Sequence, residues 1–328
     1  MHTGTHYRLK EFLVWTRRDI YIVIVIAAIP TILYQLLDFK WLAIPWLPIA
    51  LIGTAAAFIL GFKSTQIYNR LWEARQIWGS IAATSRTWGV MVTNFVHSET
   101  RIHQQLIYRH FAWLTALRFQ LRKPQPWENM SKPHNQEYSK LFSIPEWDMN
   151  IEDELKKYIT DEERHYALSK KNRATQLITL QARQLSILRE SGALTDSAYI
   201  EMQKRLADLA EQQARCERIK DFPYPRQFAS ITLFFVWLFV ILLPFGMLNE
   251  FQQVGEYFVW LTIPFSLIVS WVFISLDRVG EAAENPFEGS SNDIPMAALS
   301  RGIEIDLREM LDEDNLPLPL NPMNNILM

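Results

Sequence analysis

Four long apolar runs constrain this chain more than any other feature. Ile20 to Leu37, Trp41 to Phe62 and Phe228 to Leu248 carry no formal charge. Val254 to Leu276 contains one ionisable residue, Glu256, near its start. A helix rises about 1.5 Å per residue, so each run can cross a hydrocarbon core about 30 Å thick. Trp and Tyr near the run ends suit the membrane interfaces. Pro30, Pro45, Pro48, Pro244 and Pro264 lie inside the runs. A soluble helix would suffer more from them than a membrane bundle, whose neighbouring helices satisfy the freed backbone groups. The alternative is four buried helices of a large soluble protein, which would have to hide every run at once. The predicted class is an all-α membrane protein with four transmembrane helices.

The near-neutral mean hydropathy of −0.03 conceals this clustering. A formal charge of −2 gives no field that would attract nucleic acid. The single cysteine, Cys216, excludes an intrachain disulfide framework and a multi-cysteine zinc site. The first run is expected to be retained, because a polar 19-residue segment precedes it and no small-residue cleavage site follows.

Loop charge predicts the orientation. Asp38-Phe39-Lys40 links the first two runs, and Asn249 to Gln253 links the last two without Lys or Arg. Every Lys and Arg except Lys40 falls on the opposite side, which places both termini in the cytoplasm. The expected organisation is a cytosolic segment at 1–19, a transmembrane hairpin at 20–62, a helical cytosolic domain at 63–226 and a second hairpin at 227–276. A cytosolic segment at 277–311 and a Pro-rich tail at 312–328 complete it.

Within the cytosolic domain, Gln66 to Leu121 has no proline and only Gly79 and Gly89. Lys123 to Asn150 holds four prolines and reads as an irregular connector. Helix is predicted from Ile151 to Glu190, and again after Thr195, a candidate N-cap, through Cys216. Tyr199, Met202, Leu206 and Leu209 form its buried stripe. Ile200 lies off that stripe, either as an unremarkable surface apolar residue or as one facing a central axis. Pro317, Pro319 and Pro322 forbid helix in the tail, which is expected to be loose or laid along a partner surface.

Two segments carry a family resemblance. Gly61 to Gly79 reads GFKSTQIYNRLWEARQIWG, and Asp277 to Met296 reads DRVGEAAENPFEGSSNDIPM. With two membrane runs on either side of a cytosolic helical block, the chain resembles the bestrophin family, specifically its bacterial branch. The resemblance covers nearly the whole chain. It implies a homopentamer around a single axial pore in the bacterial inner membrane, passing small monovalent ions, mostly chloride and other anions. Charge selectivity varies within the family and stays open here, as does the gating stimulus.

The resemblance places the pore neck on Thr54, Phe58 and Phe62, by alignment to the Gly61-Phe62 pair, and the cytosolic aperture on Ile200. Positions four apart share a helical face, so a five-fold axis would stack them as rings. Narrow apolar rings exclude water and so oppose ions. A phenylalanine edge is positive and its face negative, so ring rotation would set the favoured ion sign. Thr54 puts a hydroxyl where the family commonly has a larger apolar residue, which predicts a wetter first ring. Without the resemblance, Phe58 and Phe62 read as packing or lipid-facing residues.

Asn69, Arg70, Glu73, Arg75, Trp78 and Gly79 mark the first motif, and Asn285, Pro286, Phe287, Asn292 and Asp293 the second. Arg70, Glu73 and Arg75 are expected in buried ion pairs below the membrane, with Trp72 and Trp78 packing or anchoring at the interface. Eukaryotic relatives hold calcium on consecutive acids after Asn-Pro-Phe. Here Glu288-Gly289-Ser290-Ser291-Asn292-Asp293 offers two separated acids, so no calcium gating is expected. Asn292 and Asp293 are expected to cap a turn or the following helix.

His97, His103 and His110 lack an i, i+4 pair and read as solvated rather than metal-binding. No nucleotide loop, nucleophile elbow or zinc motif appears, so neither enzyme activity nor a metal or other cofactor is expected. The remaining alternative is a non-conducting membrane scaffold with a cytosolic partner-binding domain. The expected partners are further copies of the chain, membrane lipid and permeant ions, with no nucleic acid.

Overall fold

A computed structural model describes residues 1–328, which are helical with no β-strand. The first apolar run is α1 (Leu9–Leu36). A 3-10 turn at Lys40–Leu42 leads into α2 (Trp46–Phe95). The other two runs are α10 (Arg226–Val254) and, after a 3-10 turn at Glu256–Leu261, α11 (Thr262–Ala283). These four helices are long and apolar enough to cross a membrane. Pro30 and Pro244 lie inside α1 and α10, whereas Pro45 caps α2.

Between the hairpins come α3 (Thr100–Arg122), α4 (Pro133–Ser139), α5 (Pro145–Asp148), α6 (Ile151–Lys156), α7 (Asp161–Leu168), α8 (Arg173–Glu190) and α9 (Asp196–Asp221). The Asn285–Asp293 loop precedes α12 (Met296–Glu309). The expected N-cap is present, with Thr195 Oγ1 accepting from Ala198 N. Met202, Leu206 and Leu209 are buried, and Ile200 is exposed.

Three local expectations need correction. The 123–150 connector contains two short helices, because Pro133 and Pro145 each occupy a first helical position, where proline's missing N–H costs nothing. The helix expected over 151–190 is three helices, restarted at caps Asn150, Thr160 and Asn172. The end of the tail is anchored on its own chain, while most of 312–325 is exposed. Ile326 and Met328 are buried with Phe142 and Ile144, and Leu327 exchanges backbone hydrogen bonds with Met1.

The α2 helix runs for 50 residues without a break, about 75 Å, from the second apolar run deep into the helical block between the hairpins. Its membrane half packs on α10, its lower half on α9 and α12, and α1 packs on α11. Gly53 makes the α2–α10 approach possible, since a Cβ there would lie 2.6 Å from Phe239 Cε2. The dominant core lies outside the apolar runs, built on Trp78, Trp88, Trp113 and leucines from α3, α8 and α9. The membrane helices bury only small clusters and leave Ile22, Val25, Phe234, Ile241 and Ile268 exposed. Apolar surface of that extent suits lipid or further subunits rather than water.

Candidate functional site

Ile49, Gly53, Ala56, Leu60, Lys63 and Ile67 form the packed face of α2. The opposite face has Leu51, Thr54, Phe58 and Phe62 exposed. Phe58 is the extreme case, 76% exposed in the middle of an apolar helix. Phe62 is 48% exposed, with its ring centroid 6.3 Å from that of Phe228 on α10. Thr54 Oγ1 donates to Ala50 O at 2.8 Å. Its donor is thus spent within the helix, and only its lone pairs remain to wet that level. Ile200, 53% exposed, stands near the start of α9.

Just below Phe62 opens a crevice of about 660 Å³, lined by Asn69, Arg70, Glu73, Arg218 and Phe222 among others. The expected buried pairing of the first motif is not what forms. Arg70 donates to the backbone carbonyl of Ile219, Glu73 pairs with Arg218 in a partly exposed bridge, and Arg75 is exposed. Arg70 and Glu73 diverge because the last turn of α9 offers each a nearer partner. Burial lowers the Arg70 pKa. Trp78 is fully buried, Trp72 stacks on Tyr68, and Gly79 is exposed.

The buried ion pairs lie elsewhere. Lys63 Nζ is 2.7 Å from Asp277 Oδ1, and Arg278 binds Asp19 at 3.0 Å and Glu281 at 2.9 Å. Glu281 also pairs with Lys132, and Glu284 lies 3.2 Å from Arg226. The carboxy-terminal end of α11 therefore ties to α1, α2, α10 and the connector through Asp277, Arg278, Glu281 and Glu284. Burial pushes Glu281 up, but His134, Lys132 and Arg278 outweigh it and hold its pKa at about 2. The signal was available, because Asp19, Lys63 and Asp277 flank the apolar runs on the same membrane side.

The second motif is buried from Glu284 to Ser290. Gly289 takes φ +101°, and a Cβ there would meet Ile144 Cδ1 at 2.7 Å, so the loop needs glycine at that position. Asp293 accepts from Gly289 N at 2.6 Å, Ser290 Oγ at 2.6 Å and Arg122 Nη1 at 2.9 Å. It caps a turn, whereas the helix that follows starts at Pro295 without a side-chain cap. Asn292 Oδ1 accepts from Tyr7 Oη at 3.1 Å instead. Asn285 donates to Glu288 Oε2 at 3.0 Å, and Phe287 joins the dominant core. Burial, reinforced by Asp293, raises the Glu288 pKa well above the carboxylate range.

The histidine expectation also changes. His97 is exposed, but His110 is buried, with Nε2 2.9 Å from Ser85 Oγ. Burial lowers its pKa to about 3.

Residues 14–309 match a family model described as the bacterial/fungal bestrophin protein. The voltage-dependent anion channel-forming protein YneE of Escherichia coli K12 is 29% identical over 275 residues, 84% of this chain and 80% of that protein. A voltage-dependent anion channel-forming protein of Mesorhizobium japonicum is 24% identical over 266 residues, 81% of this chain and 75% of that protein. Among solved structures, a bacterial bestrophin homologue from Klebsiella pneumoniae superposes with a TM-score of 0.77 at 25% identity, covering 90% of this chain and 98% of that one.

Proposed function

Because the chain belongs to the bacterial/fungal bestrophin family, we propose that it is a homopentameric ion channel of the bacterial inner membrane, with both termini cytoplasmic. One observation carries this reading: α2 packs one face on its own chain and leaves Thr54, Phe58 and Phe62 exposed on the other, with only the edge contact of Phe62 to Phe228. Five such faces around an axis would stack two phenylalanine rings below a threonine ring. A pore narrowed by them sheds water, and an ion crosses only when the rings widen or turn. The crevice under Phe62 opens the neck to the cytosol, and Ile200 forms the second constriction at the far exit. Exposed apolar residues of α1, α10 and α11 face lipid.

The permeant species are small monovalent ions. The names of the relatives, voltage-dependent anion channel-forming proteins, support an anion such as chloride for this chain, which requires ring edges turned toward the axis. Calcium has no part in gating on this reading. The Asp293 carboxylate is already bound by Arg122, Gly289 and Ser290, and Glu288 favours its neutral form.

The test is current from purified protein in a planar bilayer under a several-fold KCl gradient, for wild type and Phe58→Ala. Reversal near the chloride potential is expected, with larger conductance in Phe58→Ala. Reversal near the potassium potential would assign cations to the same neck. No current from either protein would overturn the channel reading in favour of a scaffold.

A further inference from the structure

A cavity of about 170 Å³ lies where the amino-terminal segment, α4 and the loop after α11 meet. Its walls include five aromatic side chains from two separate stretches: Tyr7, Phe12 and Trp15, and Tyr138 and Phe142. Phe12 and Trp15 form one ring pair, with centroids 5.7 Å apart, and Tyr138 and Phe142 form another at 6.4 Å. The only charged side chain in the lining is the Glu11 carboxylate.

Those properties select a ligand. Aromatic faces carry negative potential and attract cations that shed water easily, and a carboxylate adds to that field. Nothing cationic lines the space to favour an anion. An apolar cavity of about 150 Å³ holds one benzene molecule, so this one accommodates a group the size of trimethylammonium. Burial raises the pKa of both Tyr7 and Tyr138, with Glu11 contributing in the same direction, which keeps negative charge off the hydroxyls.

Position narrows the source. Trp15 and Phe12 precede the apolar run at Ile20 by five and eight residues. On a helical rise of about 1.5 Å that sets them about 8 to 12 Å outside the hydrocarbon boundary, at the outer edge of a headgroup layer about 5 to 8 Å thick and within reach of a projecting headgroup. Tyr7 is held over the cavity by its hydrogen bonds to Asn292 and Ser291, so occupancy would tie the start of α1 to the loop following α11.

We propose that this cavity binds a small organic ammonium group, presented by a lipid headgroup or by a free amine, between Glu11 and the surrounding rings.

The experiment measures thermal unfolding of the purified full-length protein in a maltoside detergent, titrated with choline chloride against NaCl and against 3,3-dimethylbutan-1-ol, its uncharged isostere. Choline is expected to raise Tm by about 2 °C or more at saturation, with little effect from the alcohol. Glu11→Gln should weaken the response at least threefold, and Ala282→Leu, which fills the cavity, should abolish it. Should Glu11→Gln fail to fold, Tyr138→Leu provides the same reading. Nanodiscs of phosphatidylcholine or phosphatidylglycerol separate the sources. Stabilisation by the choline lipid assigns a headgroup, and a response to free choline alone assigns a soluble amine. Equal responses to choline and the alcohol, an unchanged response in Ala282→Leu, or no response in detergent or nanodiscs overturns the proposal.

Discussion

Lys63 Nζ lies 2.7 Å from Asp277 Oδ1, joining the residue after Phe62 on α2 to the first residue past the last apolar run on α11. Both side chains are almost fully buried. The pair therefore fixes the rotation of α2 at the position where its exposed face matters most. Removing one partner strands the other, so Lys63→Met should cost about 3 to 5 kcal/mol. Lys63→Met combined with Asp277→Leu should recover most of that loss. Thermal melts of the two singles and the double decide it, and a double as unstable as the singles would refute the coupling.

Gly53 and Phe239 make a second, steric pair. Gly53→Ala places a methyl 2.6 Å from the ring of Phe239 and should destabilise by about 1 to 3 kcal/mol. Phe239→Leu in the same protein should offset part of the loss. A double-mutant cycle on unfolding midpoints would expose additivity, which would place the clash elsewhere.

His110 makes stability depend on pH. Its pKa is lowered from 6.5 to about 3, so the unfolded chain takes up a proton that the folded chain refuses. Stability is full above pH 6.5 and falls as pH drops toward 3, by about 1.4 kcal/mol per unit where one proton is fully linked. His110→Gln should flatten the profile between pH 6 and 4. Parallel profiles for the two proteins would contradict the assignment.

Glu288 works with the opposite sign. Its raised pKa means the folded state favours the neutral acid, so ionisation costs stability as pH rises above 4.5 toward the folded value. Glu288→Gln should raise Tm by about 2 °C or more at pH 8 and leave it unchanged at pH 4. A lower Tm at pH 8 would mean that the carboxylate is needed as an anion by Asn129 and Asn285.

The membrane helices were legible because lipid imposes its demand on every residue of a run, whatever the rest of the chain does. The exposed face of α2 was legible only through the motif around Gly61 and Phe62, since composition does not distinguish an exposed phenylalanine from a buried one. The partners of Arg70 and Glu73 were not legible. Arg70 and Glu73 sit three apart on one helix, yet each finds its partner near the α9–α10 link, far away in sequence. Proline was weighed as a breaker, though at Pro133 and Pro145 it starts a helix. The burial of His110 had a signal that went unread: Phe111 to Leu117 has almost no polar face, and a helix apolar all round is enclosed.

The unbroken course of α2 has a mechanical consequence. From Phe62 to Phe95 is 33 residues, a lever of about 50 Å below Phe62. A one-degree swing about the membrane boundary would carry the tip of that lever by about 0.9 Å, while the level of Phe58 would move by only about 0.1 Å. A force applied near Phe95 thus acts at the level of Phe58 with a large mechanical advantage.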